Sequence, residues 1–302
     1  MSTSHAVSAI VVTYRTGPVL RDCLAALMKE SEVGEIIVVD NGNPPADEQW
    51  LDSLAVSAPN LLLLRPGRNI GFSRACNLAA AKAGSRFLAL VNPDLVISSG
   101  AFERLLPIFE ADPSVSLCGG KLVDEHGQEQ RGSRRETLTP WRALVELLRL
   151  DRLAPSHPYF RRFHLLDEPS AAETMEVPAI SGAFMMLPRE RYLALGGLDE
   201  SMFLHAEDLD LCLRILLAGG RIVYCGALPF YHQRSTSDVS VIFVEWHKTR
   251  STCRYFHKHF RHAYPTWCLR GIELLLWVRF IVTILPRLPA DLARMIGRAA
   301  PP

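Results

Sequence analysis

The chain has 302 residues, 48% hydrophobic and 22% charged, which fits one large α/β domain with an appendage, or two small domains, and excludes a disordered chain. Its formal net charge of +1 removes any global electrostatic case for a nucleic-acid partner. Seven scattered cysteines with no C-x-x-C pair argue against a structural zinc site or a disulfide framework, and for a reducing, cytoplasmic setting.

Met1-Ser2-Thr3-Ser4-His5 has no basic stretch, and the apolar run after it is too short for a signal peptide. Ala6–Thr13 is a β-branched apolar run that predicts a buried first strand. Tyr14-Arg15-Thr16-Gly17-Pro18 breaks it, and Val19–Met28 carries apolar residues at helical spacing. Glu35–Val39 predicts a second buried strand, ending in Asp40-Asn41-Gly42-Asn43-Pro44-Pro45. Strand, helix, strand at this spacing is a βαβ unit with a parallel pair. The first turn has one glycine, so neither G-x-G-x-x-G nor a Walker lysine loop is present.

Leu61–Leu64 predicts a third strand, and the turn Arg65–Arg74 leads into a helix running to about Ala83. A glycine-containing turn bearing Arg68 and Arg74 at a helix N-terminus suits an anion, because unpaired N–H groups and the helix dipole favour negative charge there. Two solvated surface arginines are the plainer alternative. Phe87–Val91 predicts a fourth buried strand that delivers Asn92-Pro93-Asp94 without a spacer. Pro93 cannot continue a central strand and biases Asn92 toward an extended conformation. Asn92 and Asp94 are therefore expected at the carboxyl end of a strand, where open α/β sheets bind ligands; a simple surface turn is the other reading.

A helix over Ala101–Glu110 and a strand over Ser114–Lys121 follow, then a turn and a basic loop through Arg131, Arg134 and Arg135. Pro140–Asp151 has amphipathic helical spacing, and Ala154–Ala172 reads as a loop. Glu207, Asp208 and Asp210 open a further helix, with Leu209, Leu213, Leu216 and Leu217 expected on its core face. Acidic residues in a first turn match the helix dipole. Three carboxylates within four residues also repel, which raises at least one pKa and makes one of them a candidate general base. Arg221–Tyr224 predicts a last strand, with His232 in the segment beyond it. Residues 245–260 are helical, aromatic and basic. Ile272–Leu285 is strongly apolar but only fourteen residues long, short of the roughly 20 a membrane span needs. It reads either as a buried C-terminal helix or, with Arg261, Arg270, Arg279, Arg287, Arg294 and Arg298 around it, as an interfacial helix on anionic lipid.

Val11-Val12-Thr13-Tyr14, Val38-Val39-Asp40-Asn41, Asn69-Ile70-Gly71-Phe72 and Asn92-Pro93-Asp94 together resemble the N-terminal half of family-2 glycosyltransferases of the GT-A fold. Gly196-Gly197-Leu198-Asp199-Glu200 and Glu207-Asp208-Leu209-Asp210-Leu211 with Arg214 resemble that family's G-G-F-D-E and E-D-x-D-L-x-x-R signature. The resemblance implies an α/β GT-A fold, a mixed and mainly parallel sheet flanked by helices. Residues 1–235 would form it, with a donor half to about 123 and an acceptor half from about 124, and 236–302 would be a helical extension. It also implies an inverting transferase that uses a nucleotide-diphosphate sugar. Asp208 would be the catalytic base with Glu207 its competitor, and Asp210 would pair with Arg214. Thr13 and Asp40 would hold the nucleobase side, with Arg68, Asn69, Arg74, Asn92, Asp94 and Glu207 as further substrate contacts. Asp94 and His232 would ligate a divalent cation, Mg²⁺ or Mn²⁺.

Two departures stand out. Arg15 replaces the family's usual Asn, and Asn92 replaces the first Asp of its D-x-D triplet, so Asp94 is that triplet's only carboxylate. The N-P-D form resembles the rhamnosyltransferase-like branch. That branch implies dTDP-rhamnose as donor, a glycan or polyprenyl-diphosphate-linked sugar as acceptor, and bacterial surface polysaccharide as product. The arginines of the 131–135 loop would then meet acceptor phosphates, at the cytoplasmic face of the inner membrane. The Q-x-x-R-W element of processive members is absent. Of the rival readings, a sugar-nucleotide pyrophosphorylase needs a Gly-rich first loop that Thr13–Pro18 lacks. An inactive scaffold would have no need of Asp40, Asp94 and Asp208, all present.

Overall fold

A computed structural model describes residues 6–153, 157–165, 173–233 and 237–288. The described strands and helices are, in chain order, β1 (Val7–Thr13), α1 (Val19–Leu27), β2 (Val33–Asp40), α2 (Pro45–Ser57), β3 (Leu61–Leu64), α3 (Phe72–Ala80), β4 (Phe87–Val91), β5 (Leu95–Val96), α4 (Ala101–Ala111), β6 (Val115–Val123), β7 (Arg134–Arg135) and α5 (Pro140–Leu148). The second half adds β8 (Thr174–Glu176), β9 (Ala179–Ile180), β10 (Phe184–Pro188), α6 (Arg189–Ala194), α7 (Glu207–Leu217), β11 (Arg221–His232), α8 (Val241–Phe260) and α9 (Thr266–Ile284).

Nine strands form one mixed sheet in the order β3-β2-β1-β4-β10-β6-β11-β5, with β8 also paired to β11. β1, β2, β3 and β4 run parallel, and every residue of β1 and β4 is buried, as expected for strands covered by helices on both faces. The register sets Thr13 opposite Asp40 and Val11 opposite Val91, so the carboxyl ends of β1, β2 and β4 share one edge. β10 runs antiparallel to β4, with Phe184 opposite Val91, and therefore starts at that same edge. Leu20, Cys23, Leu24 and Leu27 of α1 pack into the main core with Val7, Ala9 and Val11. The ring of Phe184 lies 4.5 Å from Phe230 and 6.1 Å from Phe102. Each such side chain, fully buried, contributes about 1.5–3 kcal/mol.

Three expectations change. α2 was not anticipated: it opens on Pro45 and buries only Leu51, so its sequence carries almost no apolar stripe. β11 runs to His232 rather than ending near Tyr224, because a register shift between Cys225 and Pro229 lets the strand absorb Gly226 and Pro229 and continue. On α7 the buried apolar residues are Leu209, Leu211, Cys212 and Ile215, while Leu213 and Leu216 are half-buried and Leu217 is 73% exposed. Of the loop expected over Ala154–Ala172, residues 154–156 and 166–172 lie outside the described residues, as do Arg294 and Arg298.

The chain divides into two compact units. The first holds the sheet: residues up to Thr137, Phe163–Glu200 and Glu207–Asp238. The second is helical and takes in Leu138–Arg162 and Ser201–Ala206 as well as the chain from Val239 onward, since α5 packs on α9. Within it α8 and α9 pair, Arg279 reaching Glu245 at 2.6 Å and His257 reaching Glu273 at 3.3 Å. Among the described residues no helix is long and apolar enough to cross a membrane.

Candidate active site

The edge formed by the carboxyl ends of β1, β2 and β4 gathers the sequence motifs. Asp40, with 1% of its side chain exposed, is braced on every side. Its Oδ1 accepts from the Gly42 and Asn43 N–H groups (3.1 and 3.0 Å) and from Asn43 Nδ2 (2.9 Å). Its Oδ2 accepts from Arg65 Nε at 3.1 Å. Asn43 in turn takes the Thr13 hydroxyl (3.2 Å) and the Arg15 N–H (2.7 Å) on its Oδ1. Arg15 has φ 51°, a left-handed turn that a non-glycine residue holds at some cost. Asn43, which sequence reasoning passed over, thus ties the ends of β1 and β2 together. Asn69 is likewise part of a turn: its Oδ1 accepts from Gly71 N–H (2.9 Å) and Asn41 Nδ2 (3.0 Å). Arg68 is exposed, and Arg74 meets Glu200 at 3.4 Å with both side chains about half exposed, a pair worth roughly 0–1 kcal/mol.

The turn after β4 sits one hydrogen bond from the start of β10. Half-buried Asn92 donates its N–H to Ala183 O at 2.9 Å, and the neighbouring Gly182 donates its N–H to Asp208 Oδ2 at 3.0 Å. The Asn92-Pro93-Asp94 turn and Asp208 are therefore brought to one place by the β4–β10 pairing. Asp94 is joined there by His232, because β5 pairs antiparallel with the end of β11 and places His232 opposite Leu95. His232 Nε2 and Asp94 Oδ1 are 3.2 Å apart, and both side chains are nearly buried.

Asp208 lies at the N-terminus of α7, after two residues of left-handed backbone, His205 and Ala206 (φ 64° and 65°). Such a pair of non-glycine residues costs on the order of 1–3 kcal/mol each and is typical of constrained functional turns. Its Oδ2 accepts from Arg135 Nη2 at 2.6 Å, and its Oδ1 accepts from the Leu209 N–H at 2.8 Å. Burial would raise the Asp208 carboxyl, but the Arg135 guanidinium and the N–H groups of Gly182 and Leu209 outweigh it and hold it below the ordinary carboxylate range. Glu207 goes the other way. Burial, then the charges of Asp208 and Asp210, push it up to about 8. Its Oε2 is buried without a hydrogen-bond partner among the described residues. Two adjacent carboxyls are thus driven apart, Asp208 ionised and Glu207 neutral at pH 7.

Asp210 pairs with Arg214 Nε at 2.7 Å, and Arg214 also bonds the carbonyls of Leu195 and Gly197, both at 2.7 Å, so this pair clamps the Gly196-Gly197 turn. Asn77 on α3 secures the same turn through Leu198 O (2.9 Å), Leu198 N–H (2.9 Å) and the Tyr192 hydroxyl (2.5 Å). Of the three arginines expected on acceptor phosphates, Arg131 is exposed and the other two are used internally. Arg134, 1% exposed, pairs with Glu129 at 3.0 Å beside Tyr224, and Arg135 holds Asp208. Basic-loop composition gave no sign of either partner.

The residues at Asp94 fit a divalent cation. Two donors about 2.1 Å from a six-coordinate ion lie about 3.0 Å apart, close to the His232–Asp94 separation. Among the described residues no three His, Cys, Asp or Glu side chains converge, so water and substrate phosphate would complete the shell.

Residues 8–174 match the family described as Glycosyl transferase family 2. The chain belongs to this family. The family's match covers β1 through β4 and the Asn92-Pro93-Asp94 turn, while Asp208 and His232 lie beyond it. An N-acetylglucosaminyl-diphospho-decaprenol L-rhamnosyltransferase of Mycobacterium tuberculosis is 26% identical over 284 residues, 87% of this chain and 88% of that protein. The protein y4gI of Sinorhizobium fredii is 30% identical over 235 residues, 76% of this chain but only 25% of its own length. Among solved structures, GalNAc-T7 with UDP, GalNAc and Mn²⁺ superposes with TM-score 0.62 at 14% identity, over 87% of this chain and 49% of that one. The fold is GT-A, and the chain is a rhamnosyltransferase-like member of family 2.

Proposed function

We propose that this glycosyltransferase is an inverting, non-processive, metal-dependent enzyme that moves L-rhamnose from dTDP-rhamnose to a polyprenyl-diphosphate-linked sugar. The observation that carries the reading is the single edge at which the ionised Asp208, the Asp94–His232 pair and the β1–β2 turns meet. Asp208, kept charged by Arg135, takes the proton of the acceptor hydroxyl as that oxygen attacks the anomeric carbon from the face opposite the leaving diphosphate. Inversion follows from that single displacement. Glu207, neutral and with a buried oxygen to satisfy, donates a hydrogen bond to a sugar hydroxyl at the junction. Asp94 and His232 would hold a divalent cation, which supplies charge neutralisation for the departing diphosphate. Thr13, Asn43, Asp40 and Arg65 shape the nucleobase end, and Asn92 the ribose end; Asn69 holds the intervening turn, with Arg68 and Arg74 beside it.

The acceptor and sugar assignments are supported by the rhamnosyltransferase likeness and by the N-P-D turn. Peripheral contact with the inner face of the bacterial membrane belongs to the same reading. Two of the three charges inside α9 are turned onto α8, Arg279 to Glu245 and Glu273 to His257, while Arg270 is exposed. Its opposite side exposes Trp267, Leu274, Val278, Ile281 and Val282, a stripe at helical spacing. Residues 241–287 carry eight Lys and Arg against two Asp and Glu, which suits anionic lipid.

The test is transfer from labelled dTDP-rhamnose to a synthetic polyprenyl-diphosphate N-acetylglucosamine in the presence of Mg²⁺ or Mn²⁺. A β-to-α change at the anomeric carbon, lost on chelation, is expected. Binding of the donor without any transfer by the wild-type protein, across a panel of acceptors, would support the alternative of a catalytically inactive binding module.

A further inference from the structure

Gln130 contacts both the backbone and the ring of His232. Its Nε2 lies 2.6 Å from the His232 carbonyl oxygen and 3.4 Å from that of Val123, and its Oε1 lies 2.9 Å from His232 Nδ1. A carbonyl oxygen only accepts, so the amide must present its nitrogen to those two oxygens. That choice leaves Oε1 facing the ring. Oε1 also only accepts, and Nδ1 must therefore carry a hydrogen. In the neutral imidazole Nε2 then keeps its lone pair, and it points at Asp94 Oδ1, 3.2 Å away. Two acceptors this close repel unless a positive charge lies between them. Gln130 is itself 92% buried, so solvent does not compete for its amide.

We propose that Gln130 is the positioning residue of the cation site: one amide fixes the ring plane and the tautomer of His232, so that Nε2 is offered to the metal beside Asp94. This rests on the cation reading given above. Gln130 lies 102 residues from His232 in sequence, in the segment between β6 and β7. It touches no substrate in this assignment and acts only through the histidine.

The tautomer is read by long-range ¹H–¹⁵N correlation on histidine-labelled protein without metal, about two pH units above the ordinary histidine range. His232→Ala identifies the signal. The wild-type ring is expected as Nδ1–H, whether or not metal is later added. In Gln130→Leu the ring shifts toward Nε2–H, and Mn²⁺ affinity, followed by electron paramagnetic resonance of the free ion with dTDP present, falls about 10- to 100-fold. Gln130→Glu keeps an acceptor for Nδ1–H while losing both carbonyl contacts. It is expected to lower thermal stability yet keep the tautomer, which separates orientation from a merely structural role. A wild-type ring found as Nε2–H, or a Gln130→Leu protein with unchanged tautomer and Mn²⁺ affinity, overturns the proposal. A wild-type Nδ1–H ring in a protein that binds no Mn²⁺ with any nucleotide overturns the cation reading, and leaves the hold of Gln130 on the ring standing.

Discussion

Replacing Glu207 by Gln converts a buried carboxyl into its neutral isostere, and the site geometry gives the size of the effect. Folding raises the Glu207 pKa from 4.5 to about 8. Between those values the unfolded chain releases a proton that the folded protein keeps, so the folded state binds more protons and stability falls as pH rises. The loss begins near the unfolded value and is complete above about 8. Its slope is at most about 1.4 kcal/mol per pH unit, giving a ceiling on the order of 5 kcal/mol across the window. Asp208 contributes with the opposite sign, but its pKa is lowered, so its stabilisation is lost only as pH falls below the ordinary carboxylate range. Urea midpoints measured from about pH 5 to about pH 8.5 separate the two. The wild-type protein should lose between about 2 and 4 kcal/mol over that range, and Glu207→Gln should lose much less and be the more stable protein at the alkaline end. Parallel profiles for the two proteins would refute the assignment of Glu207 as the neutral member of the pair.

Three further outcomes follow from the same geometry. Arg135→Leu strips the buried partner from Asp208 and should cost about 3–5 kcal/mol in chemical denaturation, with transfer activity lost even where the variant stays folded. A Cβ added at Gly182 would sit 3.0 Å from Asp208 Cβ. Gly182→Ala should therefore displace the base and lower kcat on the order of 100-fold with little change in donor affinity, as steady-state kinetics would show. On α9, Val278→Glu with Ile281→Glu places two charges in the exposed stripe and should abolish co-sedimentation with phosphatidylglycerol vesicles; equal sedimentation of both proteins would contradict a lipid-facing α9.

The parallel half of the sheet was legible because β1, β2 and β4 are continuous apolar runs, each delivering a polar turn at its carboxyl end. The acidic start of α7 and the Asp210–Arg214 pair were legible for a similar reason, since i,i+4 partners are local. What was hidden is long-range. Arg135 meets Asp208 across 73 residues, Gln130 meets His232 across 102 and Asn77 meets Leu198 across 121, and no periodicity encodes such pairings. α2 was missed because a helix that buries one leucine needs no stripe. The length of β11 was missed because Gly226 and Pro229 read locally as strand breakers, while the bulge that tolerates them depends on its neighbour β6.

The proposed mechanism makes Asp208 the base at a cation-dependent nucleotide-sugar site. The most direct measurement compares wild type, Asp208→Asn and Asp94→Ala for calorimetric binding of dTDP with and without Mn²⁺, and for single-turnover transfer from dTDP-rhamnose. Wild-type binding should require the metal. Asp208→Asn should bind the nucleotide like wild type but transfer nothing measurable, and Asp94→Ala should lose the metal-dependent part of binding. Transfer by Asp208→Asn at a rate near that of the wild type would contradict the account and pass the base role to Glu207.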